Sequence, residues 1–175
     1  MSTKGKRDRL FGDARPILRP YTPDDFWVLW AAYDLGSFPG LKAGAKKEEF
    51  AAYIELICRG NSACLVADAK CRYFREGHGP VAFITVKNDG WKVIPSADFF
   101  KWTTTRMKLR VLVAAFQKAR YSEEIGVLVI SALSSSLKAL RSMKSYGLLY
   151  PVGRIPDGSR GGDEFLFYLR GKKSA

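Results

Sequence analysis

Between Pro95 and Leu133 the hydrophobic period changes twice, and that change limits the fold more than anything else in the chain. PSADFFKW reads as the end of a strand. TTTRMKLRVLVAAFQKAR, residues 103 to 120, has a helical repeat with an apolar face. IGVLVISAL then runs almost without a polar residue, as in a strand covered on both faces. Strand, helix and buried strand in that order make a crossover unit, which sets two parallel strands in one sheet. The helix carries a second signal. Its opening turn holds Arg106, Lys108 and Arg110, where the macrodipole is already positive. Cations placed there call for an anionic partner.

The flanking segments supply the other elements. PILRPYTPDD reads as a short strand and a turn, with Thr22 as a helix N-cap, Pro23 at the first helical position, and Asp24 and Asp25 in the first turn. DFWVLWAAY puts Phe26, Leu29, Trp30 and Tyr33 on one helical face. After the loop GSFPGLKAGA, KKEEFAAYIELICR forms a second helix with Phe50, Tyr53, Ile54 and Ile57 inward. SACLVAD is a strand, and GPVAFITVKNDGWKV a hairpin around NDG, with Pro95 demanding a bulge or break in its second arm. SSSLKALRSMKSYG is a helix with serines at its start and Gly147 at its end. LLYPVGRIP and EFLFYLRG close the chain as two strands. The order is β-α-α-β-β-β-α-β-α-β-β, an α/β domain with a mixed sheet.

Composition narrows the partners. With 47% apolar and 13% aromatic residues the chain has the material for a packed core. Its 29 Lys and Arg against 17 Asp and Glu, a net +12, favour nucleic acid, phosphorylated cofactors or acidic protein surfaces. Residues 1–14, with Lys4, Lys6, Arg7 and Arg9, form a basic arm that is either a solvated tail or a docking segment. Residues 15–171 form the folded domain, and 172–175 a short basic tail with Lys172 and Lys173. Lys138, Arg141 and Lys144 add a stripe on one predicted helix. No helix-turn-helix, zinc-finger or RNA-recognition signature accompanies it, so nucleic-acid contact would run through phosphates. Cys58, Cys64 and Cys71 are odd in number and fit no zinc spacing, which predicts reduced thiols, at least two of them in the core. The lone histidine, His78, is read as lying in a glycine-flanked loop, EGHGP, and no metal site is expected. VLVAAF and GVLVISAL are too short to span a bilayer, and MSTKGKRDR precedes no leader-like apolar stretch. These features predict a soluble cytoplasmic protein.

The element order resembles the GNAT superfamily of acyl-CoA-dependent N-acetyltransferases, over roughly residues 17–170. Two segments carry the likeness. SSLKALRSMKSYGLLYPVGRI is similar to that family's helix-Gly-strand segment, with Gly147, Leu148, Val152 and Gly153 at its Gly, Phe, Val and Gly positions. TTTRMKLRVLVAAFQKAR sits where the family has its pyrophosphate-binding loop and helix, and WTTTRMKLR is similar to a Trp-Thr-Pro-Arg motif of GNAT-like proteins encoded by bacteriophages. The resemblance implies a GNAT-like single domain: a mixed, mostly antiparallel sheet with a central β-α-β crossover and flanking helices. It implies acetyl-CoA or another acyl-CoA bound around Thr104, Thr105, Arg106, Met107, Lys108 and Leu109, no metal, and an amine as acceptor. Backbone amides at Arg106 to Leu109 would face the diphosphate.

Two positions depart from the family pattern. Arg106 and Lys108 stand where its loop has glycines, and Met143 stands where it has the tyrosine that protonates the leaving thiolate. Tyr146, three residues on, is the remaining phenol for that role. The base for an incoming amine is expected on the strand before the loop, where Asp98 is the only carboxylate. Beside Phe99 and Phe100 its pKa would rise by desolvation; pairing with Lys101 or Lys92 is the simpler alternative. Three functions are therefore expected in order: an acyltransferase, with activity reduced by these departures; a non-catalytic component of a phage particle, contacting other virion proteins; and a nucleic-acid binder. The corresponding location is the host cytoplasm, or the virion.

Overall fold

The computed structural model describes residues 15–89, 92–120, 127–130, 145–146, 149–155 and 164–169. Their contacts divide them into two units, one holding Pro16–Lys87 and Ser96–Val111, the other Asn88–Pro95 and the chain from Leu112.

In the first unit, β1 (Ile17–Pro20), β2 (Ala63–Lys70), β3 (His78–Asp89) and the second half of β4 (Lys92–Phe99) lie in that order. β1 and β2 are antiparallel with Ile17 opposite Asp68, and β2 runs antiparallel to β3 from Ala63 opposite Val86 to Lys70 opposite His78. His78 thus opens a strand rather than sitting in a loop. The five consecutive residues Val81 to Thr85 are all buried, so β3 is covered on both faces.

The helices of this unit are α1 (Phe26–Asp34) and α2 (Lys47–Gly60). Residues Pro23–Asp25 form a 3-10 turn, so α1 starts three residues later than the sequence suggested. Asp25 takes a role the sequence did not indicate. It lies in that first turn as expected, and it is also buried, accepting two hydrogen bonds from the Arg19 guanidinium at 2.6 and 2.7 Å. It also accepts from the Thr22 N–H at 2.9 Å and hydroxyl at 3.1 Å, while Arg19 Nε donates to Asp68 at 2.6 Å. Burial pushes the Asp25 carboxyl up, but the bonds from Arg19 and Thr22 outweigh it and hold the group below its ordinary range.

The core of the unit is aromatic. Phe38 lies 5.5 Å from Phe50 and 6.0 Å from both Phe83 and Phe100, centroid to centroid, and all four rings are essentially without solvent exposure. Phe38 holds φ at +62°, a conformation costly for a residue with a Cβ and sustained here by the packing of its ring. The helical faces read from the sequence join the same cluster: Leu29, Tyr33, Phe50 and Ile54 buried, with Phe26, Trp30, Tyr53 and Ile57 packed against them. The Tyr33 hydroxyl staples the connecting loop, donating to the Lys42 carbonyl and accepting from the Ala45 N–H at 2.6 Å. The three cysteines are free; Cys71 is buried, while Cys58 and Cys64 are half-buried at the edge of the cluster.

In the second unit the strand order is β4, β5 (Val127–Ile130), β7 (Glu164–Leu169), β6 (Leu149–Ile155). β4 and β5 are parallel, with Lys92 opposite Val127 and Val93 opposite Leu128, as the crossover requires. β7 is antiparallel to both its neighbours, with Leu166 opposite Val129 on one side and Tyr168 opposite Tyr150 on the other. β4 continues through Pro95 without the break its missing N–H had suggested. The predicted helix after β5 falls outside the described residues, apart from helical Ser145 and Tyr146 in the turn that follows it. The basic arm and tail lie outside them too.

α3 (Thr105–Arg120) joins β4 to β5. Met107 and Val111 are buried on one stripe of it; Val113, nearly opposite Val111 on the helix, and Phe116 are buried on another. The single apolar face read from the sequence is therefore two. Among the described residues no helix is long and apolar enough to cross a membrane.

Candidate functional site

The segment from Asp98 to Arg110 lies within the first unit, and its base is fixed by hydrogen bonds to the start of β3. The Phe100 N–H donates to the Val81 carbonyl at 3.1 Å, and the Thr103 hydroxyl donates to the same oxygen at 2.5 Å. Within the turn, the Thr103 N–H donates to the Phe100 carbonyl at 2.9 Å. The Trp102 indole N–H donates to the Pro80 carbonyl at 2.8 Å. Thr103, read from the sequence as the first helical residue, is thus a buried anchor below the helix.

The helix itself begins above that anchor. Thr104 caps it: the Met107 N–H donates to Thr104 Oγ1 at 3.3 Å, and the Lys108 N–H donates to the Thr104 carbonyl at 2.9 Å. Of the first helical N–H groups this leaves those of Thr105 and Arg106 without an intrahelical partner. The open amides accordingly lie at Thr105 and Arg106, not across Arg106 to Leu109. Thr104, Thr105, Arg106 and Lys108 are exposed, Leu109 and Arg110 half-buried, and Met107 is turned inward and buried. Five of the six residues expected to hold a cofactor thus reach the surface, while Met107 can contribute only backbone.

The electrostatics of this turn are one-sided. No acid lies in it, and among the described residues neither Arg106 nor Lys108 takes part in an ion pair. The Lys108 ammonium lies 5.6 Å from the centre of the Phe99 ring. Burial, and then the like charge of Arg106, lower the Arg110 guanidinium from its usual range, a mark of cations crowded along one helix. Exposed cations, two hydroxyls and two open amides at a dipole's positive end form an anion-receptive surface. The residues present fit a diphosphate by charge and donor count; the side chains in place of glycine hold it farther from the backbone than a glycine loop would.

Asp98 lies in the same unit, two residues before Phe100 on β4. Its side chain is largely buried, and burial raises its carboxyl above the ordinary range. Among the described residues it makes no ion pair; Lys101 runs instead beside Gly36, its Cε 3.4 Å from where a Cβ would stand there. Tyr146 belongs to the other unit, half-buried in the turn before β6. Met143 lies outside the described residues. Glu76 and His78 are exposed.

Sequence reasoning missed the anchor formed by Thr103 and Trp102. The run WTTT was its signal, because three consecutive threonines leave one free to bond inward while the next caps the helix.

No family model and no curated protein sequence matches the chain. Solved structures do. A spermidine N-acetyltransferase from Vibrio cholerae, in complex with CoA and spermine, aligns with a TM-score of 0.63 over 89% of this chain and 95% of its own, at 9% identity. AAC(6')-Ib, in complex with ribostamycin and coenzyme A, gives 0.63 over 89% of this chain and 94% of its own, at 13% identity. A ribosomal-protein-alanine N-acetyltransferase from Brucella melitensis gives 0.55 over 86% and 97%, at 16% identity. The chain has the GNAT fold: a mixed, mostly antiparallel α/β architecture with a central β-α-β crossover. At these identities the likeness establishes the fold; what the chain does must be argued from its own residues.

Proposed function

We propose that this chain binds an acyl-CoA through the amino end of α3 and transfers the acyl group to an amine. The observation that carries the reading is the first turn of α3, where exposed Arg106 and Lys108 and the open amides of Thr105 and Arg106 coincide with no neutralising acid. A diphosphate would use both the charge and the donors. When bound, acyl-CoA supplies an activated thioester. The chain's part is to hold the diphosphate and to manage protons. Asp98, with its carboxyl raised by burial, is the base that takes the proton from the attacking amine nitrogen. Protonation of the departing sulfur is the role the sequence leaves to Tyr146, because Met143 replaces the family tyrosine, and reduced turnover is expected from that replacement.

The test is release of CoA thiol from acetyl-CoA over a panel of primary amines: polyamines, aminoglycosides and peptides with a free amino terminus. Release above the uncatalysed rate, with kcat reduced about a hundredfold or more in Asp98→Asn and the KM for acetyl-CoA unchanged, is the expected result. No release with any of them would sink the catalytic half of the reading.

Arg106 and Lys108 at glycine positions also favour a second reading, in which the fold is kept and the chemistry is not. The chain would then be a component of a phage particle, in line with the likeness of WTTTRMKLR, with the same turn facing an acidic or phosphorylated partner.

A further inference from the structure

On the first unit, the turn between β2 and β3 presents an aromatic ring and a set of cations that the proposed transfer reaction does not use. Residues 71 to 77, CRYFREG, are closed by hydrogen bonds from the Cys71 N–H to the Gly77 carbonyl at 2.9 Å and from the Gly77 N–H to the Phe74 carbonyl at 2.8 Å. The Phe74 ring fills the space over Gly79, where a Cβ would come within 2.5 Å of it, so this glycine is required by the close approach. Trp102, itself tied to Pro80, holds the turn from the other side. The turn is therefore fixed at both ends before any ligand arrives.

Tyr73 lies flat on Trp102, with centroids 4.3 Å apart and planes within 5° of parallel. Phe74 is edge-on at 5.4 Å from Tyr73 and 5.8 Å from Trp102. Being almost equally far from the two stacked rings, it sits beside the stack and not across the outer face of Tyr73. That outer face is open, and Tyr73 is 54% exposed. Lys70, Arg72 and Arg75, all within three residues of Tyr73 in sequence, are exposed, and among the described residues none is in an ion pair. Glu76 is the only acid in the turn. A preorganised aromatic face on a turn that also carries unneutralised cations has the chemistry that single-stranded nucleic acid needs: a base stacks on the ring and the flanking phosphates meet the cations.

We propose that the Tyr73–Trp102 stack, with Lys70, Arg72 and Arg75, is a binding site for single-stranded nucleic acid, with Tyr73 taking a base as the third layer of the stack. The site uses neither Arg106 nor Lys108 of α3. It reads backbone and base faces and so discriminates little by sequence.

The experiment is fluorescence anisotropy of a labelled mixed-sequence DNA 12-mer titrated with the full chain at low salt, repeated on Tyr73→Ala, Tyr73→Phe, and Arg72→Glu with Arg75→Glu. Tyr73→Ala is expected to weaken binding about five- to a hundredfold, and Tyr73→Phe, which keeps the stacking face, to retain it. The charge reversals should weaken binding and flatten its salt dependence. Competition with a duplex of the same sequence should be poor, because paired bases offer no free face, and free AMP should compete only weakly, lacking the run of phosphates. Binding that all variants retain would overturn the proposal and send the contact elsewhere on the basic surface. Absence of binding to the wild type at low salt would overturn it outright. If AMP competes as well as the oligonucleotide, the site is one for a mononucleotide and the proposal as stated fails.

Discussion

The two halves of the turn from β4 into α3 are built from opposite materials. Phe100 and Thr103 are buried, bonded to β3 and, through Phe100, packed into the ring cluster around Phe38. One residue further on, Thr104, Thr105 and Arg106 are exposed, and the charge they carry goes unneutralised among the described residues. The lower half is over-determined and the upper half is left open. That division is what a binding site needs: donors and cations whose backbone is fixed beforehand lose little freedom when an anion arrives.

The comparison can be broken most severely from below. Phe100→Ala should cost about 3–5 kcal/mol, since it empties a fully buried site against the Phe38 and Trp102 rings. Its chemical-denaturation midpoint should fall accordingly, and any affinity for acyl-CoA should fall with it, because the anchor no longer fixes the helix start. Thr104→Ala lies on the boundary between the halves. Removing the cap should cost about 1 kcal/mol, seen as a small drop in Tm, with the ring cluster undisturbed. The smallest change should be a gain. Asp98 is held with its carboxyl raised, so the folded state disfavours the charged form at neutral pH. Asp98→Asn should therefore raise Tm slightly at pH 7. The advantage should fade as the pH falls from the raised folded-state range of Asp98 to the ordinary carboxylate range of the unfolded chain, below which both states of the wild type are protonated. A melting series from pH 7 to 3 checks the sign. A loss of stability at pH 7 would mean that Asp98 has a partner in the folded state.

How legible this was in the sequence differed between the same two halves. The crossover could be read because period 3.6 and an unbroken apolar run are imposed by which faces meet solvent, and Lys92 opposite Val127 realises it. The inward faces of α1 and α2 were legible for the same reason. The half-buried Arg19–Asp25–Asp68 cluster was not, because acids after a Thr-Pro pair look identical whether they face water or a distant arginine. The charge of the α3 turn was plain from Arg106 and Lys108, but which amides stay open was decided by Thr104 taking the cap. That choice among three threonines depends on Val81, some twenty positions back in the chain, accepting from Thr103. Tyr73 gave no signal, because stacking on Trp102 is set by the β2–β3 turn and not by spacing.

The account rests on the open half of the turn being an anion site, and calorimetry of acetyl-CoA against the wild type and the Arg106→Glu, Lys108→Glu double variant tests that most directly. The account predicts binding at the micromolar level, about −8 kcal/mol, in the wild type and its loss in the variant. The variant should be no less stable than the wild type, since neither side chain is buried and carboxylates suit the positive end of the helix. Equal heats from both proteins, or none from folded wild type at millimolar acetyl-CoA, would contradict it.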